Sequence, residues 1–308
     1  MNIKIILIKG TALFFRKFFQ FSPFEFGKWF IWNKILVPFI NNKEIQFIVD
    51  TKFSQRFTVS LCDYIQQRLF YFGVWEKNLT NYISENLSTG DIFVDVGANI
   101  GYYSLMASRL VGNNGFVHAI EASPSIYTAL CNNITLNQCS NIISHNMAAS
   151  DEKGTIDIYK GRKENIGQTT VRIENSSKYN FEKESSVSAD TLDNIIGLEN
   201  LLNARIIKVD VEGAEWQVLQ GIKGLFKKFS ETTEIIIEVS PESLLKQNIL
   251  PQQLIQLFTN SGYNAYVIPD NNEPHMYMIN NINLSIYPLH LKEINGQVDV
   301  LFTKKILN

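Results

Sequence analysis

The stretch Val94-Asp95-Val96-Gly97-Ala98-Asn99-Ile100-Gly101-Tyr102-Tyr103-Ser104 carries an apolar strand through a glycine-flanked turn straight into an amphipathic helix. Gly97 and Gly101 let the backbone bend sharply and approach a ligand with no Cβ in the way. The helix N-terminus beyond them offers unpaired N–H groups to a carboxylate or phosphate. A dinucleotide fingerprint would read G-x-G-x-x-G, whereas this chain reads G-x-x-x-G with Asp95 two residues ahead of the first glycine. An acid there repels a pyrophosphate and suits a ligand with an ammonium; S-adenosylmethionine carries an amino group and a sulfonium. An ordinary strand-to-helix turn has a similar composition and is the competing reading.

Outward from this turn, strand and helix patterns alternate, which predicts βαβ units and a mostly parallel sheet. Strands are expected at Ile92–Val96, Gly115–Ile120, Ile142–Asn146, Arg205–Asp210, Glu234–Val239, Tyr263–Ile268 and Val298–Phe302, seven in all. Helices fall at Tyr102–Val111, from Pro124 to about Leu136, and from about Ala214 and Pro251. The polar stretch Gly161–Ser188 lacks core-forming residues and is expected to lie irregularly over the pocket mouth. Ahead of the sheet, Ile45–Val59 alternates as short strands, and Glu76–Leu87 reads as a helix. Glu76 is either an acid on that helix dipole or a ligand contact.

In such a sheet, ligands sit at the carboxyl ends of the strands, near the point where strand order reverses. The second strand ends in Glu121, twenty-four residues after Gly97, where an acid would hold a ribose diol; the alternative is an exposed acid at a helix start. The third ends at Asn146, whose amide would read adenine with Met147 over the ring, or would only form a turn. The fourth ends in Lys208-Val209-Asp210-Val211-Glu212-Gly213-Ala214-Glu215, with Lys208, Asp210 and Glu212 on one side of extended backbone. Asp210 would act as general base on an acceptor hydroxyl, or hold a divalent ion with Glu212 and Glu238. A Lys208–Asp210 structural pair with Glu212 and Glu215 in a helix first turn is the competing reading.

With 308 residues the chain can bury one α/β domain plus an appendage. A net charge of −2 and a pI near 6.1 give no electrostatic argument for a nucleic-acid partner. Cys62, Cys131 and Cys139 have no C-x-x-C spacing, so a reducing cytosol is the simplest setting and a cytoplasmic location is expected. The four histidines show no zinc-binding spacing, and only carboxylates offer obvious metal ligands, so any metal would be magnesium, calcium or manganese. Over residues 1–40 six basic residues stand against Glu25 alone, and from Phe14 to Trp32 ten phenylalanines and tryptophans recur at near-helical spacings. That is a basic amphipathic surface, too broken by Lys9 and Arg16-Lys17 to span a bilayer and without a signal-peptide cleavage site. It would pack on the catalytic domain or on a homodimer partner, or touch a membrane peripherally.

From Tyr71 to Asp270 the order of motifs resembles the FkbM family of S-adenosylmethionine-dependent methyltransferases. The resemblance rests on Gly73-Val74-Trp75-Glu76, the Asp95–Ser104 turn, Glu121-Ala122-Ser123-Pro124, Asn146-Met147-Ala148 through Asp151, Thr191-Leu192-Asp193, Lys208–Glu215 and Ile237-Glu238. The chain departs from the family in reading Glu-Ala-Ser-Pro where Glu-Pro-x-Pro is commoner. The resemblance implies an α/β fold: a Rossmann-like class I methyltransferase sheet of seven strands, mostly parallel with an antiparallel last strand, plus an N-terminal helical extension. The chain then divides into a Phe-rich basic extension with short strands, residues 1–70, and a methyltransferase domain, residues 71–308.

By the same resemblance, Asp95, Gly97, Asn99 and Gly101 would line the methionine end of the cofactor and Glu121 its ribose; the placement of Glu76 and Asn146 adds them to the expected cofactor set. The expected reaction is O-methylation of a hydroxyl on a sugar, glycan or small metabolite, with Asp210 as base and His145 as a second candidate. A non-catalytic methyltransferase-like scaffold and a nicotinamide-dependent oxidoreductase are the competing functions; the missing middle glycine and Asp95 count against the latter.

Overall fold

The hydrophobic residues of the central strands point alternately to two faces, and both faces are covered. Ile206 and Ile236 enter one core; their neighbours Ile207, Val209, Ile235 and Ile237 enter the other. A strand buried on both sides must be apolar throughout, which is why these segments read as continuous Ile and Val runs.

The computed structural model describes residues 3–22, 25, 27–40, 43–160, 182–279, 285–290, 294 and 296–307. Its strands, in chain order, begin with a hairpin, β1 (Gln46–Asp50) and β2 (Arg56–Ser60). Then come β3 (Ile92–Val96), β4 (Phe116–Ile120), β5 (Ile142–His145), β6 (Ala148–Ala149), β7 (Gly154–Lys160) and β8 (Glu182–Asp190). The last five are β9 (Ala204–Val209), β10 (Glu234–Val239), β11 (Asn264–Ile268), β12 (Tyr287–Pro288) and β13 (Val298–Thr303). The main sheet runs β12-β11-β13-β10-β9-β3-β4-β5. Neighbours from β10 to β5 are parallel, and β13 lies antiparallel between β10 and β11. This order, with an antiparallel final strand, is that of the Rossmann-like class I methyltransferase sheet.

Two expectations need correction, and one element was not foreseen. The main sheet has eight strands rather than seven, because Tyr287–Pro288 adds a two-residue strand at the edge, a place where proline's missing N–H is tolerated. The polar stretch is not irregular throughout: Glu182–Asp190 pairs antiparallel with β7, and β6 joins them in a three-stranded sheet. Most of β8 is solvent-accessible, so it needs few apolar residues and gives no alternation to read; residues 161–181 lie outside the described residues. An unforeseen helix, Tyr64–Phe72, starts at Asp63, whose carboxylate accepts the Gln66 N–H at 2.9 Å.

Reversal of strand order falls between β3 and β9. From β3 the chain steps outward to β4 and β5, then returns to β9 on the other side. The carboxyl ends of these two adjacent strands therefore frame a crevice with no crossover helix above it.

The N-terminal segment is helical, as its spacing predicts. A helix at Ile3–Phe21 is followed by a helical run through Lys28–Phe39. Ala12, Phe19 and Trp32 belong to the same core as Phe93 and Ile206 of the main sheet. Trp32 stacks on Phe72 and meets Phe19 and Tyr71 edge-on. The N-terminal helices and the sheet thus share a hydrophobic core. Trp32→Ala should lower the unfolding free energy by about 3–5 kcal/mol, the usual cost of emptying a buried tryptophan site. Urea unfolding followed by circular dichroism and fluorescence should give one coincident transition; an early separate transition would show an independently folding extension.

Candidate functional site

A cavity of about 570 Å³ opens at the carboxyl ends of β3, β4, β9 and β10. Glycine geometry makes it possible. Gly97 has φ +85°, and a Cβ there would lie 1.7 Å from the Asp210 carbonyl oxygen. The two strand exits are locked together by that approach and by the Asp210 N–H, which donates to Val96 O at 2.9 Å.

The N–H groups of the turn ahead of the helix are themselves engaged. Those of Gly97 and Ala98 both reach Ile120 O, Asn99 donates to Glu121, Ile100 to the Asn99 side chain, and Gly101 to Ala98 O. Gly101 does not line the cavity. Its φ of +92° starts the helix, and a Cβ would strike Leu130 and Leu105.

Toward β4 and β5 the lining combines Glu121 with the apolar Ile126, Met147, Ala148 and Ile158. Glu121 is buried, and its two oxygens accept the Asn99 N–H at 2.9 Å and the Ser123 N–H at 2.8 Å. Burial outweighs these bonds and pushes its carboxyl up to about 7. Asn146 lies behind the wall: its amide donates to Glu121 O and Ala122 O, holding the β4 exit in place. His145 also stays outside the cavity, with its ring stacked on His118 and a 3.3 Å contact between ring nitrogens. Burial and the neighbouring His145 push His118 down to about 4, and burial lowers His145 as well, so this pair is neutral at physiological pH.

Toward β9, β10 and β13 the cavity is acidic. Glu76, Asp210, Glu212, Glu238, Asp270 and Asp299 all line it, with Lys208 among them. The Lys208 ammonium bonds Asp210 Oδ2 at 2.8 Å and lies 5.0 Å from the centre of the Tyr103 ring. Burial opposes its charge, but Asp210, Asp95 and Glu76 outweigh that and hold it above the ordinary lysine range. Glu76 accepts the Tyr103 hydroxyl at 2.6 Å and the Asn272 amide at 3.2 Å, while its backbone N–H donates to the Tyr277 hydroxyl. Burial, with Asp210 and Asp270 nearby, pushes Glu76 up to about 7. Burial and Asp210 likewise hold Glu212 and Glu238 well above the carboxylate range; at Asp299, burial and then Glu76 do so. Glu215 serves the fold instead, accepting the N–H groups of Val211 and Gly213.

Asp95 is buried beneath the cavity and does not line it. Its Oδ2 accepts the Ser104 hydroxyl at 2.5 Å, while Oδ1 has no hydrogen-bond partner among the described residues. Six non-glycine residues among those described have positive φ, and three of them, Glu76, Asn99 and Glu212, line this cavity. Backbone strain of this kind persists where surrounding structure imposes it, and concentrates at functional sites. Among the described residues, no three His, Cys, Asp or Glu side chains are grouped to hold a metal ion.

The site therefore gathers Glu76, Gly97, Asn99, Glu121 and Asp210 from the sequence-predicted set; Asp95, Gly101, Asn146 and His145 stand outside its lining. Sequence reasoning missed Tyr103, Asp270, Asn272 and Asp299. Only Asp270 and Asp299 carried a signal: each is an acid beside or within an apolar strand at the end facing the cavity.

A switch-point cavity on this sheet, walled by a glycine turn and an acid at the end of β4, defines a class I methyltransferase fold. Residues 95–265, more than half of the chain, match the methyltransferase FkbM domain, and the protein belongs to that family. A curated relative, Methyltransferase 1 of Beauveria bassiana (strain ARSEF 2860), is 27% identical over 143 residues, covering 42% of this chain and 57% of the relative. The chain thus spans little more than half that relative's length. Among solved structures, a precorrin-6y C5,15-methyltransferase from Geobacter metallireducens GS-15 is 12% identical, with a TM-score of 0.42 over 75% of this chain and 90% of its own. A SAM-dependent O-methyltransferase from Thermotoga maritima is 10% identical, with a TM-score of 0.41 over 85% of this chain and 79% of its own. Identities this low leave the reactions of those enzymes with those enzymes.

Two outcomes follow from the geometry. Gly97→Ala should disrupt the turn and abolish ligand binding, seen as loss of calorimetric binding heat and a lowered melting temperature. Glu76 and Glu121 titrate near 7 in the folded chain against an ordinary 4.5, so the folded state holds protons that the unfolded chain releases. Stability should fall as pH rises from about 4.5 to about 7, by up to roughly 3 kcal/mol per group. Urea unfolding at pH 5 and pH 8 should show that loss, and Glu76→Gln should remove its share.

Proposed function

We propose that the protein transfers a methyl group from S-adenosylmethionine to a hydroxyl of a sugar, glycan or similar small acceptor. The observation that carries this reading is the shared cavity, which the Gly97 turn, Glu121 and Asp210 all line. Glu121 would hold the ribose diol with the lone pairs its two backbone bonds leave free, while Met147, Ile126 and Ile158 offer apolar cover for adenine. Gly97 lines the cavity, and its lack of a Cβ lets the Asp210 backbone seat against the turn and fix that rim. Glu76 in the lining, with the buried Asp95 beneath the turn adding negative potential, suits a cationic amino-acid end.

When bound, S-adenosylmethionine supplies an electrophilic methyl on a sulfonium. What remains for the protein is to align the acceptor oxygen and remove its proton as the new O–C bond forms. Asp210 is placed to take that proton, because Lys208 holds Oδ2 and fixes the carboxylate, leaving Oδ1 for the acceptor hydroxyl. Glu212, Glu238 and Asp299 supply a set of hydrogen-bonding carboxyls on the acceptor side. Such a wall matches a hydroxyl-rich acceptor and disfavours a phosphate-bearing one.

Calorimetric titration with S-adenosylmethionine and with S-adenosylhomocysteine tests the reading. Glu121→Ala should weaken binding at least tenfold. Asp210→Asn should keep wild-type cofactor affinity while lowering kcat on hydroxylated acceptors by about a hundredfold or more, the usual contribution of a general base. Unchanged cofactor affinity in Glu121→Ala would remove the site assignment, and cofactor binding without turnover on any acceptor would favour a scaffold.

A further inference from the structure

We propose that the N-terminal helical residues 3–22 and 27–40 dock the protein on an anionic lipid surface. The helix Ile3–Phe21 buries Ala12 and Phe19 against the core, so its opposite face should be polar if it met water alone. It is apolar instead: Ile3, Ile6, Leu7, Leu13, Phe14 and Phe21 are all exposed, Leu7 and Phe14 at 65% each. At 1.5 Å per residue this strip runs roughly 27 Å along the helix. The following helical run extends it with exposed Trp29, Phe30, Val37 and Phe39. A contiguous apolar patch of this extent marks an interaction surface.

Charge selects the occupant. Six basic residues stand against Glu25 over residues 1–40 of a chain whose net charge is −2; of these Lys28 is buried, and Lys9 and Arg16 are half-buried. Lys17 and Lys34 are exposed beside the patch. Arg16 is held by backbone carbonyls of Leu69, Phe70 and Asp50, which fixes the helix to the body of the protein. A two-fold dimer would bring this face against itself and set like charges together. Anionic headgroups complement it, and an apolar face flanked by lysines with tryptophan at the margin is the form of an interfacial helix. No described helix is long and apolar enough to cross a membrane, so the contact is parallel to the surface.

The patch also braces the cavity. Trp29 packs edge-on to His275 at 5.7 Å, and Tyr277 of the same short helix accepts the Glu76 N–H and donates to Asn272. Glu76 and Asn272 both line the cavity, so a docked surface bears on its wall.

Co-sedimentation of the full chain with phosphatidylcholine vesicles, with and without phosphatidylglycerol, tests this directly. The protein should pellet with anionic vesicles and bind neutral ones at least tenfold more weakly. The exposed double variant Leu7→Glu/Phe14→Glu should lose binding at least tenfold with an unchanged thermal midpoint, and Lys17→Glu/Lys34→Glu should weaken binding to anionic vesicles alone. Failure to pellet with anionic vesicles overturns the proposal. So does a dimer in light scattering that the first double variant converts to monomer, which would assign this face to a second copy.

Discussion

Placing the Lys208 ammonium in the middle of a mainly parallel sheet costs several kcal/mol unless opposite charge and hydrogen bonds surround it. Here the surroundings are carboxylates from four places in the chain: Asp95 on β3, Asp210 just past β9, Glu76 ahead of the following helix, and Asp299 on β13. Each of these acids would in turn be costly to bury without the cation. The cluster therefore depends on its one cation more than on any single acid. Removing the ammonium leaves several uncompensated acids, whereas removing one acid leaves the others still paired. The acidic end of the cavity, the position of Asp210 and the seating of Tyr103 depend on that one charge.

The second constraint is steric. Gly97 and the Asp210 backbone approach more closely than any side chain permits, and Asp210 donates back to Val96. The two strand ends at the reversal point are thus held at fixed separation by main-chain atoms rather than by side chains that could swing. Positive φ at Asn99 and Glu212, one on each exit, follows from the same crowding. Strain on both exits and hydrogen bonds between them make a rigid rim, which suits alignment of two reactants.

Much of this was legible because it is local. A strand running into Gly97 and a helix beginning at Tyr102 are properties of a dozen consecutive residues, and β3 and the helix Tyr102–Val111 fall where the pattern puts them. Pro124 after a serine cap was equally readable, and Ser123 does cap that helix. The illegible parts depend on distant partners. Asn146 and His145 stand at a strand end, as ligand-binding residues do, yet each finds a nearer partner: Asn146 the Glu121 and Ala122 carbonyls, His145 the His118 ring. Asn272 and Tyr277 lie almost two hundred residues or more from Glu76, and no spacing rule joins them. β8 escaped because a largely exposed ribbon carries no burial pattern, and its polar residues pair with β7 through the backbone ladder and through Lys183 and Ser186 on Asp157.

The antiparallel strand has a consequence for synthesis. Asp299 faces the cavity because β13 inserts between β10 and β11 in the register that sets it opposite Glu238; a slip of one residue would present a valine there. Chain order makes this the final strand to join, some sixty residues after β10. A nascent chain that has released β3 through β11 carries the glycine turn and Glu121 but lacks one wall of the acidic end. The Gly97 and Glu121 side of the cavity is thus spelled out early on the ribosome, and the acidic side closes only when Val298–Thr303 has emerged, so incomplete chains present a half-built cavity.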